Sequence, residues 1–64
     1  MKNKEMIFLQ NTIASNNNPD MFHIDVDIID KHKLDSQKLA KMAEELGYTA
    51  YYIYNYKITF KRNA

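Results

Sequence analysis

The chain has 64 residues with no cysteine, no tryptophan, one glycine and one proline, and 45% of it is apolar. A single small domain of that length, 1–64, buries only about 60% of the surface its unfolded form exposes, and without cysteine it lacks both disulfides and thiolate metal sites as support. Nine basic against eight acidic residues give a formal charge of +1, too near neutral to single out a nucleic acid or a membrane as partner.

Phe, Tyr, Met, Ile, Asn and Lys make up more than half of the chain, and eight lysines stand against one arginine. These are residues of A/T-rich codons, so the composition points to a low-G+C bacterium or one of its phages or plasmids. The apolar run Met6–Leu9 is shorter than a secretory signal core or a membrane span requires. A cytoplasmic location is the expectation, in the host if the chain is phage-encoded.

In chain order, Met6–Ile13 is a β-prone run, ended by the polar cluster Ser15–Asp20, whose Ser, Asn, Pro and Asp favour turns. Phe22–Ile28 alternates strictly, with Phe22, Ile24, Val26 and Ile28 on one side and His23, Asp25 and Asp27 on the other, which predicts a half-buried strand. A hairpin looping at Ala14–Asp20 joins the two runs most economically. The period then changes: Leu39, Met42, Ala43 and Leu46 form one helical stripe over about Ser36–Leu46, with Asp35 or Ser36 as N-cap and Gly47 as the left-handed stop. Tyr48–Arg62 reads as strand. A hairpin turning at Asn55-Tyr56 would put Tyr51, Ile53, Ile58 and Phe60 on one apolar face; one long bent strand is the alternative. The predicted fold is α+β, a small antiparallel sheet with one helix packed on one face, in the order ββαββ, or ββαβ if the last segment stays unbroken.

Three groups of residues carry chemistry. His23, Asp25 and Asp27 share a predicted strand face, but alternate positions on one strand are too far apart to hold a cation alone, and a solvated polar face is the simpler account. With Asp20 and Asp30 they form a secondary acidic patch, Asp25, Asp27 and Asp30 at its heart, suited to a basic partner. In the acid-free segment after Tyr48, the tyrosines Tyr52, Tyr54 and Tyr56 interleave with Lys57, Lys61 and Arg62. Such a surface fits a protein interface, where tyrosine supplies area at small entropic cost, or stacking on single-stranded nucleic acid.

Leu39–Tyr56 can also be laid on a helix-turn-helix, with Ala43 packed, Gly47 in the turn and Ile53 beyond it. In this it resembles the second and third helices of small phage repressors and excisionases, which implies a recognition helix over Thr49–Lys57. The run Tyr-Tyr-Ile-Tyr-Asn-Tyr favours strand over helix, so the β reading is preferred.

No nucleophile elbow, paired catalytic set or glycine-rich loop is present, and no enzyme activity, cofactor or metal is expected. The expected function is a small binding module, encoded by a phage or mobile element, that inhibits or modulates a larger host protein through its tyrosine-rich sheet. Nucleic-acid binding and a homodimeric structural role are the alternatives.

Overall fold

A computed structural model describes residues 3–54 and 56–64, with 52–54 as backbone only. The elements run α1 (Lys4–Ser15), β1 (Met21–Asp25), α2 (Val26–Lys31), α3 (Ser36–Glu45), β2 (Tyr48–Tyr54) and β3 (Lys57–Arg62). The α+β class and the antiparallel sheet agree with expectation. The order does not, since the sheet has three strands and three helices accompany it.

The first correction is α1, where the β-prone run Met6–Ile13 predicts a strand. The buried positions are Glu5 and Leu9, with Phe8 and Ile13 half-buried behind them, a helical spacing of three and four residues. Ile7 points outward, 42% exposed. The Asn3 carboxamide oxygen caps the helix by accepting the Met6 N–H at 3.1 Å. The polar cluster is indeed a loop, but it connects a helix to a strand and closes no hairpin. Asn17 and Asn18 take φ of 59° and 51°, the left-handed region that asparagine tolerates.

The alternating run begins as expected and then breaks. Phe22 and Ile24 are buried within β1, but Asp25 occupies the N-cap position of α2, and from Val26 the chain is helical. Ile29 enters the core and Ile28 is left 37% exposed, so Asp27 never joins the strand face of His23 and Asp25. Lys33, at φ 54°, and Leu34 close α2 through the Leu34 N–H to the Ile29 carbonyl at 2.9 Å. The α3 helix matches its predicted bounds closely. Asp35 is the cap, accepting the N–H groups of Gln37 and Lys38, and Gly47 follows at φ 89°.

The C-terminal segment is a hairpin, and β3 inserts between its neighbours to give the order β1-β3-β2, all antiparallel. The expected turn at Asn55-Tyr56 falls partly outside the described residues; Tyr56 is in a turn. Phe60 has Phe22 and Ala50 as Cα partners, while Thr59 has His23 and Tyr51. Tyr51 therefore does not share the face of Ile58 and Phe60, which is a second correction; Ile53 lies among the residues given as backbone only. Tyr48 and Ala50 take the core side, and a register shift between Tyr51 and Tyr54 breaks the simple alternation. The described residues of Thr49–Lys57 lie in strands and a turn, which removes this segment as a recognition helix.

The core lies on one side of the sheet. Phe22, Ile24, Tyr48, Ile58 and Phe60 pack with Leu9 of α1, Ile29 of α2, and Leu39 and Ala43 of α3. The opposite face carries Met21, His23 and Asp25, then Lys57, Thr59 and Lys61, then Thr49 and Tyr51. Among the described residues no helix is long and apolar enough to cross a membrane.

Leu9→Ala should cost about 2–5 kcal/mol in urea unfolding, as expected for a fully buried leucine. Ile7→Ala should stay within about 1 kcal/mol. Equal costs at the two sites would contradict the helical placement of this segment.

Candidate functional site

Two helices, α2 and α3, follow one another in the chain, joined by the four residues His32–Asp35. Ile29, Leu34 and Leu39 set this unit on the core, one from each of its three parts. The first helix, α1, braces the turn from behind. The buried Glu5 carboxylate accepts the Asp35 N–H at 3.0 Å, and the Phe8 ring lies 5.8 Å from that of His32. With Leu39 and Ala43 turned inward, α3 exposes Gln37, Lys38, Lys41, Glu44 and Glu45.

The charge along this unit is uneven. Lys31, Lys33, Lys38 and Lys41 fall within eleven residues that hold a single acid, Asp35, whose carboxylate is engaged as the cap. All four lysines are exposed, and none makes an ion pair among the described residues. Glu44 and Glu45 reverse the sign at the far end, so the cationic surface is the turn together with the N-terminal half of α3. The sequence signal for it is Lys-His-Lys before the cap, with Lys38 and Lys41 one turn apart opposite the apolar stripe.

Of the residues expected to bind a partner, Lys57 and Lys61 share the open sheet face, Tyr56 lies in the turn and Arg62 points to the other side. The side chains of Tyr52 and Tyr54 lie outside the described residues. Tyr56 is 62% exposed in the hairpin turn, with the Lys57 Nζ 5.7 Å from its ring centre. Lys61 lies on the open sheet face, its Nζ 5.6 Å from the centre of the Tyr51 ring. Tyr51, 44% exposed, therefore belongs to this face, whereas the expected set omitted it.

Arg62 is the exception, because it points to the helix side. Its guanidinium donates to the Asn18 and Pro19 carbonyls and the Tyr48 hydroxyl, and pairs with Asp20 at 3.2 Å. The Tyr48 hydroxyl, more than the Asp20 charge, holds its pKa above the ordinary value. Tyr48 in turn donates to the Pro19 carbonyl at 2.6 Å. Arg62 thus ties the asparagine loop to the sheet, beside an open cleft of about 440 Å³ walled by Ile13, Ala14 and Leu46.

The residues of the expected acidic patch sit on neighbouring stretches of chain. Asp20 faces Arg62, Asp25 ends β1, and Asp27 and Asp30 sit on α2. His23 shares a hydrogen bond with the buried Thr59 hydroxyl at 2.8 Å. Among the described residues no three His, Cys, Asp or Glu side chains come together as metal ligands.

Asp35→Ala should cost about 1 kcal/mol through loss of the cap. Glu5→Ala should cost about 1–3 kcal/mol, since it leaves a buried N–H without its acceptor. Chemical denaturation measures both, and a neutral Glu5→Ala would contradict the brace.

Comparisons of the chain with protein-family models, curated proteins and solved structures found no match.

Proposed function

We propose that this chain binds double-stranded DNA through the unit formed by α2, the turn and α3. The observation that carries this reading is the exposed set Gln37, Lys38 and Lys41 on α3, after a short turn that carries Lys33 and follows Lys31. In a helix-turn-helix the N-terminal residues of the second helix reach the base edges of the major groove. Gln37 has the donor and acceptor to recognise adenine, and lysine pairs with guanine or with phosphate. Lys31 and Lys33 are placed for the backbone. Of the eight acids, Asp35 lies within the lysine cluster, engaged as the cap of α3, and Asp30 adjoins Lys31, while Glu5, Asp20, Asp25, Asp27, Glu44 and Glu45 lie outside residues 30–41. This reading differs from the helix-turn-helix resemblance at Leu39–Tyr56, which the β reading of that segment displaced.

Fluorescence anisotropy with a labelled duplex tests it. Binding should weaken linearly in log Kd against log salt, and Lys38→Ala or Lys41→Ala should each reduce that slope by about one. Tyr51→Ala, on the open sheet face, should bind as the parent does. No binding at low salt, or lysine variants with the parent slope, would overturn the proposal.

A second reading keeps the binding module that modulates a larger host protein. It rests on Met21 and Tyr51, 49% and 44% exposed on the sheet face away from the helices. Under that reading Tyr51→Ala abolishes capture of the host partner, while Lys38→Ala leaves it intact.

A further inference from the structure

Among the described residues no strand pairs with the outer edge of β1, and its pattern of hydrogen-bonding groups matches itself. The Arg62 N–H donates to the Asp20 carbonyl and the Val26 N–H to the Tyr56 carbonyl. These bonds fix the ladder's phase, so that Asp20, Phe22, Ile24 and Val26 turn their backbone groups toward β3. Met21, His23 and Asp25 therefore direct theirs outward, on the side of the strand that no other strand occupies.

The two sheet edges differ. On β2 the register shift between Tyr51 and Tyr54 interrupts the edge, one of the devices by which edge strands avoid further pairing. The β1 edge has no bulge, no proline and no lysine from Met21 to Asp25, and its five residues pair with β3 in unbroken register. It is the regular edge of the sheet.

We infer that β1 pairs with β1 of a second copy, antiparallel about a two-fold axis at His23, to give a continuous six-stranded sheet. In that register His23 faces the partner's His23, Met21 faces the partner's Asp25, and Phe22 faces the partner's Ile24. All outward backbone groups of Met21, His23 and Asp25 meet outward groups of the second strand. No lysine faces a lysine and no aspartate faces an aspartate across the new pair. Such pairing also extends the burial of a core that has only nine buried apolar side chains among the described residues. The inference rests on the sheet edge and not on the DNA reading, and its test contains no nucleic acid.

A residue on the two-fold axis meets itself, so any charge there repels whatever its sign. Sedimentation equilibrium at micromolar concentration should find the parent a dimer and His23→Gln a dimer. His23→Glu and His23→Lys should each be monomeric, and an equimolar mixture of those two should be dimeric again. A monomeric parent, charged variants that remain dimeric, or a mixture that stays monomeric would each overturn the proposal. Should the charged variants fail to fold by circular dichroism, His23→Cys decides in this otherwise cysteine-free chain. Two Cα atoms facing in a hydrogen-bonded antiparallel pair lie about 5.5 Å apart, within disulfide reach. Oxidation should then give a covalent dimer from His23→Cys and none from Gln37→Cys. No covalent dimer from His23→Cys, or equal yields from both variants, would contradict the pairing.

Discussion

Phe60 holds the two halves of the chain together. Its ring stacks on Phe22 at 4.9 Å between centroids, and its backbone stands between Phe22 of β1 and Ala50 of β2. The sheet therefore exists only when the last strand inserts between an early strand and its own hairpin partner. Every helix lies in a connection to this arrangement or precedes it, and each sends apolar residues to the side where Phe60 points. That leaves one face of the sheet without helices and sets two regions apart: α2, the turn and α3 resting on the core, and a sheet face bounded by a regular edge.

The link from core to proposed site runs through a few residues. Leu9 anchors α1, and the same helix presents Glu5 to the Asp35 N–H and Phe8 to His32. The cap that starts α3 and the brace that holds the turn thus meet at Asp35. A buried carboxylate with a defined acceptor role fixes position more sharply than another apolar contact would, because leaving its partner N–H unsatisfied is costly. The helix that carries Lys38 and Lys41 is placed by contacts on its far side, and the lysines themselves bear none of that packing.

Much of this was legible in the residues. Leu39, Met42, Ala43 and Leu46 with Asp35 and Gly47 define α3 nearly to its ends, and the hairpin follows from the apolar spacing of Ile58 and Phe60. The first helix was hidden because two positions invert the usual code: Glu5 is polar and buried, Ile7 apolar and exposed. Without them the run Met6–Leu9 is a contiguous apolar block, in which β propensity outweighs period. The second helix was hidden because Val26 and Ile28 continue the strand alternation, while Asp25 serves equally well as a strand residue and a cap. In the tyrosine segment both faces hold aromatics, so parity alone cannot choose; the register shift after Tyr51 decides it. The cationic surface is not legible in the sequence, because lysines opposite an apolar stripe are also the ordinary solvated face of an amphipathic helix.

The central claim is that the outward face of α3, and not the open sheet, meets a nucleic acid. Amide chemical shifts followed by NMR during titration with a short duplex test it most directly. The account predicts that the perturbed amides cluster in Lys31–Lys41, with Met21, His23, Thr49 and Tyr51 unmoved. Perturbations centred on the open sheet face, or none at saturating duplex, would contradict it.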